Sequence, residues 1–392
     1  MQRFRHLQHD ERGFSLVFVG MGFMAFFAAT TLAIDVGLLM TARTQAQNAA
    51  DAGALAGATA LAFNSFTDHS PSGPAVSGAI SAAQANLVIG QPVSVTPADV
   101  TFPKDPSTGE FNLVQVSVYR TQARGNPVAT LIAQIFGVQT VDVGATATAQ
   151  AAPANAEICV MPLTIPDKWI EKQCATETCP WSPSDTFEMY DNKGILLPNP
   201  DIYVPPQPNG QTGATGYNAQ TDKGLQLVLK NNNGTKVAPS MYNAWDLPGS
   251  VGGNDYRNNI ASCNPNLVKI GDNMVPENGN MVGPTKQGTN DLVAQDPNAF
   301  WDQDCNCVKG SAFPLSPRIR IVPLYNPAVY AQGQQTGKSG PQLQVVNYLG
   351  FFIESVNANG QVIGRITPAL GKISPNGGPP VGAFPRALML VQ

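Results

Sequence analysis

The chain has 392 residues, a net charge of −4 and only 13% charged residues, about half the roughly 25% usual for soluble domains. It has no Lys/Arg-rich run, which excludes nucleic-acid binding, because nothing would neutralise the phosphates. The length suits two or three domains, and 43% hydrophobic residues suffice for a sizeable core, while 37 glycines and 33 prolines indicate a loop-rich folded protein.

The first element is apolar. Phe14 to Ile34 reads FSLVFVGMGFMAFFAATTLAI, 21 residues without a charge. As a helix it covers roughly 31 Å, matching a hydrocarbon core of about 30 Å. The apolar run is longer than that of a cleaved signal peptide, so the spacing predicts a retained transmembrane helix over 14–34. Arg3, Arg5 and Arg12 precede it and only Arg43 follows closely. The positive-inside rule then puts residues 1–13 in the cytoplasm and the rest of the chain outside. Asp35 sits at the outer end of the span, at headgroup level; a partner contact within the membrane is the rival reading.

The helix is expected to run on. Leu39, Ala42, Ala46, Ala49, Gly53, Ala56 and Ala60 recur at alternating steps of three and four, a heptad seam of small residues that permits close backbone approach. Such a seam packs either on the chain's own domain or on other subunits. Arg43, Gln47 and Asp51 form a separate polar stripe. The turn-rich stretch NSFTDHSPSGP, residues 64–74, should end the helix.

The strings ERGFSLVF and AIDVGLLMTARTQAQNAADAGALAGA, spanning residues 11–58 with the apolar run between them, resemble the N-terminal region of TadG-like and TadE-like proteins of the Tad (tight adherence) system, which assembles Flp-type pili in bacteria. Asp35, Gly37, Arg43, Gln47 and Asp51 lie in the matching motif. The resemblance implies a single-pass protein of the bacterial inner membrane with its bulk in the periplasm, and pilus-machinery proteins as partners. Two departures are visible. Tad pilins carry Glu five residues after a processed Gly, whereas Gly13 is followed at that distance by Phe18, so cleavage is not expected. The DxSxS metal motif of some TadG proteins is missing.

A second helix is expected over 74–89, with Pro74 in its first turn and Val76, Ala79, Ile80, Ala83 and Leu87 on one face. Val93 and Val95, then Val114, Val116 and Val118, alternate with polar neighbours and predict strands. Asn126 and Pro127 open a predicted helix that uses Val128, Leu131, Ile132, Ile135 and Phe136 and stops at Gly137. A strand follows through Val141, Val143, Ala145, Ala147 and Ala149. A long helix on a small sheet is the general plan of pilin-like proteins, an analogy at the level of fold.

Residues 151–157 (AAPANAE) read as a linker, after which Asn, Gly and Pro dominate 190–290. Strand-like runs stand at 225–229, 318–322, 344–356, 362–366 and 387–391. Cys159, Cys174, Cys179, Cys263, Cys305 and Cys307 all lie beyond residue 150. An even count outside the cytoplasm predicts disulfides, with the pairing left open; no CxxC and no nearby His offers a zinc site. The expected fold class is α+β: cytoplasmic residues 1–13, a transmembrane helix 14–34, a pilin-like α/β domain 35–150, and a β-rich disulfide-stapled domain 158–392.

Chemistry is sparse. The only histidines are His6, His9 and His69, so the second domain has no imidazole for a nucleophile–His site or a His-ligated metal. Asp302, Asp304 and Asn306 fit the first positions of a calcium loop, but Phe313 stands where Glu is required. Asp296, Asp302 and Asp304 are the carboxylates available to a hydrolase, and solvated loop acids explain them better. Asn233-Gly234-Thr235 is a glycosylation sequon, expected to be idle in a bacterial protein. Trp169, Trp181, Trp245 and Trp301 are expected in the core more than on a sugar. The sequence thus predicts a non-enzymatic pilus-assembly component without cofactor, metal or small-molecule substrate. The alternative is an envelope- or surface-binding module for polysaccharide or adhesion.

Overall fold

The computed structural model describes residues 12–64, 66–106, 109–174, 179–206, 214–218, 221–232, 236–277, 279, 281–336, 343–377 and 384–391. Arg3, Arg5, His6, His9 and the 233–235 sequon lie outside the described residues. In chain order the principal elements are α1 (Arg12–Phe63), α2 (Pro74–Ala85), β1 (Val100–Thr101), β2 (Leu113–Arg120), β3 (Val143–Pro153), β4 (Leu163–Pro166), β5 (Gln226–Asn231), β6 (Met241–Asp246), α3 (Gly252–Ala261), β7 (Asn273–Pro276), α4 (Val282–Val293), β8 (Ile319–Tyr325), α5 (Pro327–Thr336), β9 (Leu343–Val356), β10 (Val362–Ile366), β11 (Ala369–Leu370) and β12 (Pro385–Val391).

α1 has 52 residues and is therefore about 78 Å long. Its second half packs on α2 and a five-stranded sheet. A Cβ added at Gly53 would meet Ala83 and Ala79, and one at Gly57 would meet Ala79 and Ala75. Higher numbers on α1 thus face lower numbers on α2, so the helices run antiparallel. Small residues are what allow this approach: at Gly57 the added carbon would stand 2.7 Å from Val114 Cγ1. In β2 the buried face is Val114, Val116 and Val118, as the alternation predicts.

The sheet order is β1-β2-β3-β12-β11. Its fourth strand is the C-terminal one: Leu388 pairs with Ala151 and Leu390 with Ala149, antiparallel. The chain enters its second domain after residue 153 and returns to complete the first sheet. Residues 151–157 are correspondingly not a loose linker. All but Pro153 are buried, β3 runs through Pro153, and Ala156–Glu157 pairs with Val268–Lys269. Alanine fits there because a small apolar side chain can be covered from both sides.

The second domain is built on a closed barrel in the order β4-β8-β9-β10-β5-β6, β6 pairing back to β4. β7 bridges β9 and β6. One apolar cluster draws on all six barrel strands, including Leu163, Leu324, Phe351, Val362, Leu229 and Tyr242, and on Tyr256, Ile260 and Leu292 from α3 and α4. A second cluster, with Trp169, Trp245, Ile321, Tyr325 and Tyr348, includes the alternate residues of β8.

The segment 126–137, expected as a helix, is a correction. It forms a hairpin arm in which Val128–Ala129 pairs with Thr140–Val141, with a 3-10 turn Ala133–Phe136 at its tip, closed by Gly137 at φ 88°. Helical spacing of apolar residues fits a helix face in sequence, but here only Val128 reaches the core, and Leu131, Ile135 and Phe136 are left exposed.

The six cysteines pair as Cys159–Cys263, Cys174–Cys179 and Cys305–Cys307. The first closes a separation of 104 residues and joins the entry to the barrel to the segment just after α3. Disulfides hold the domain as expected, yet the Asn/Gly-rich region also contains α3 and α4, which its loop-like composition conceals.

Candidate functional site

The feature with functional content is α1. Among its described side chains, residues 15–30 and 32–34 are all exposed, and its most apolar 18-residue window has a mean hydropathy of 2.0. It is the one helix among the described residues long and apolar enough to cross a membrane. Apolar exposure on every side of a helix is stable only in an apolar surrounding.

At Asp35 the environment changes. Its carboxylate is buried and accepts hydrogen bonds from the backbone N–H groups of Leu131 at 2.8 Å, Ile132 at 3.3 Å and Ala133 at 2.5 Å. Burial pushes its pKa up, but the three N–H donors outweigh this and hold the carboxyl below its ordinary value. The hairpin arm is also gripped at its root: Arg120 donates to the carbonyls of Asn126 at 2.6 Å, Pro127 at 3.2 Å and, closely, Val88.

Beyond Asp35 the seam turns inward. Ala42, Ala46, Ala49 and Gly53 are fully covered, joined by Ala50, Ala54, Gly57 and Ala58, while Leu39, Ala56 and Ala60 are half-buried. The covering groups are the chain's own α2, β2 and β3. Of the other motif residues, Gly37 has nothing near a would-be Cβ, and Arg43 is exposed. Gln47 donates to Asp51 at 2.8 Å and to the Thr146 carbonyl of β3 at 3.4 Å, at the border between α1 and the sheet. The last turn of α1 meets the barrel domain, Lys223 Nζ donating to the Phe63 carbonyl at 3.1 Å, where a cation suits the negative helix end. A cleft of about 520 Å³ opens beside this contact, lined by Asn64, Lys223, Lys309 and the Cys305–Cys307 bridge.

The candidate chemistry is otherwise occupied. Asp296 is buried and accepts from Ser316 Oγ at 2.6 Å, Ser311 Oγ at 2.7 Å and the Ala312 N–H at 3.1 Å. Burial raises its pKa, but these donors and Arg318 hold it below the ordinary value. Asp302 pairs with Lys309 at 2.7 Å and caps the N–H groups of Asp304 and Cys305, so the calcium-like string is a closed turn. Asp304 is exposed. His69 stacks on Phe102 with ring centres 4.5 Å apart. Trp169, Trp245 and Trp301 are buried, and half-buried Trp181 packs edge-on to Tyr217. Among the described residues no group of three or more His, Cys, Asp or Glu is placed to hold a metal.

Sequence reasoning missed three buried carboxylates whose pKa is raised, because nothing local marks them. Burial raises Asp167 to about 6 against hydrogen bonds from Tyr217 N–H, Lys168 N–H, Asn347 and Tyr203. It raises Asp201 to about 7, assisted by its neighbour Glu171. It raises Glu157 to about 9, with Lys372 only partly opposing. The first two cap loop N–H groups, a structural use.

Residues 13–60, all within α1, match the family model Tad, putative Flp pilus-assembly TadE/G-like. No curated protein and no solved structure matches the chain. The Tad domain starts with the apolar half of α1, contains Asp35 and ends at Ala60, the last residue of the seam. The small residues in this stretch are those that hold α1 to α2 and the first sheet, and the barrel lies wholly beyond it.

Proposed function

We propose that the chain is a non-enzymatic, single-pass component of a Tad/Flp-type pilus apparatus, anchored in the bacterial inner membrane with its sheet and barrel in the periplasm. The observation that carries this reading is the Tad domain at residues 13–60, laid on a helix that is bare and apolar before Asp35 and packed after it. Three disulfides support a body in an oxidising compartment. The pilus machinery supplies the partners, and a pilin-like arrangement of α1 on its sheet fits that setting. Deletion of the gene followed by electron microscopy tests the proposal: loss of pili and of surface adherence is expected, and unchanged piliation would sink it.

A further inference from the structure

The hairpin arm 126–141 places Val128 at its root in the first domain's core, but its tip belongs to the core of neither domain. Between Arg124 and Asp142 the chain carries no charge, and the arm's tip shows Leu131 at 57%, Ile135 at 70% and Phe136 at 63% exposure. A water-exposed tip of this composition would be unfavourable, since each side chain leaves apolar area in contact with solvent.

Its position resolves this. Phe136 lines one groove with Phe23, Phe27 and Ala28, and a continuous one with Leu32 and Asp35. Ala28 is seven residues before Asp35, so Phe136 stands about 10 Å along α1 from Asp35, toward the middle of the apolar span. The grooves are walled almost wholly by carbon, and they open sideways onto the bare face of α1.

The arm's backbone is also prepared for an apolar medium. The N–H groups of Leu131, Ile132 and Ala133 go to Asp35. Those of Ile135, Gly137 and Val138 go to carbonyls inside the turn, and that of Thr130 to Gln139. Gln134 at the tip turns its amide onto the Leu131 carbonyl at 2.9 Å, and the Thr130 hydroxyl donates to the Val138 carbonyl at 2.6 Å. Non-helical backbone at membrane depth requires this kind of internal satisfaction.

We propose that this arm is a second membrane contact: its tip lies in the outer leaflet beside α1, and a lipid acyl chain fills the groove between Phe136 and the helix. The proposal rests on the single-pass anchor reading. Its consequence is orientational, because two contacts fix the tilt and rotation of the body above the bilayer where one helix leaves rotation free.

All six cysteines are paired, so an added cysteine is the sole free thiol for a polarity-sensitive fluorophore. The full chain is reconstituted in phosphatidylcholine/phosphatidylglycerol vesicles with or without acyl-brominated lipid, with the label at Phe136→Cys, Ile135→Cys, Met24→Cys in the span, or exposed Val251→Cys on the barrel domain. Emission at 135 and 136 is expected to be blue-shifted and quenched by brominated lipid as at 24, with 251 unaffected. Quenching at 24 with water-like emission at 135 and 136 overturns the arm contact and leaves the anchor standing. A blue shift there without quenching means burial against protein, as in contact with a second copy, and also overturns it. No quenching at 24 removes the anchor and the arm contact together. Either arm variant suffices should the other fail to fold.

Discussion

Asp35 Oδ2 accepts a hydrogen bond from the Ala133 N–H at 2.5 Å, across 98 positions of sequence. It joins the end of the apolar span to the turn at the tip of the hairpin arm. An aspartate is suited to this because a carboxylate accepts from several N–H groups at once, whereas an amide offers one oxygen and brings donors of its own.

Asp35→Asn is therefore expected to free the arm while leaving α1 intact. Hydrogen exchange followed by mass spectrometry should show faster exchange over 131–138 and unchanged protection over 42–58. The same contact sets a pH dependence. The folded-state pKa of Asp35 lies below its ordinary value, so its contribution is present above the unfolded value of about 3.9 and is lost as pH falls through the folded pKa. Protection of 131–133 should hold at neutral pH and fade in acid, and Asp35→Asn should abolish that pH dependence.

Two glycines of α1 should respond in opposite directions. At Gly57 an added carbon meets Val114 at 2.7 Å, so Gly57→Val is expected to destabilise by about 1–3 kcal/mol through overpacking. At Gly37 nothing lies near the added carbon, and Gly37→Ala should stabilise by about 0.5–1 kcal/mol through helix propensity. Thermal melts in detergent read both. A Gly37→Ala variant that is stabler but fails to restore piliation would place a partner against Gly37.

Glu157 is buried, with Oε1 lacking a hydrogen-bond partner among the described residues, and its pKa is raised to about 9. It folds protonated. Its contribution is fully present below the unfolded pKa of about 4.3 and is lost as pH rises through the folded value. Glu157→Gln should match the wild type near pH 4, gain a growing advantage up to about pH 9, then level off. Unfolding midpoints at pH 5, 7 and 9 check it, and a constant difference would contradict it.

Removing the three disulfides one pair at a time should give unequal losses. Cys159–Cys263 spans 104 residues, against 5 and 2 for the others. The chain-entropy relation gives about 4–5 kcal/mol for the first and about 1–2 kcal/mol for each short one. Paired Cys→Ser variants compared by thermal melting should follow that order.

The sequence by itself determined what depends on near neighbours. The uncharged run 14–34 and the small-residue seam specify α1 from start to finish. The alternation at Val114, Val116 and Val118 specifies the buried face of β2, and four of the barrel strands, β5, β8, β9 and β10, stand out as apolar runs. The match to the Tad family model lies in that same local string. Tertiary structure decided everything that needs distant pairing. Periodicity says which residues share a face, not what covers it, so the seam's cover, α2, β2 and β3, was not legible. Nor was the closure of β6 onto β4, nor the return of Pro385–Val391 to Val143–Pro153, since strand pairing carries no local mark. The arm shows the limit most directly. Leu131, Ile132, Ile135 and Phe136 have helical spacing, but Asp35, almost a hundred residues earlier, takes the N–H groups of Leu131, Ile132 and Ala133 and holds the segment as a turn.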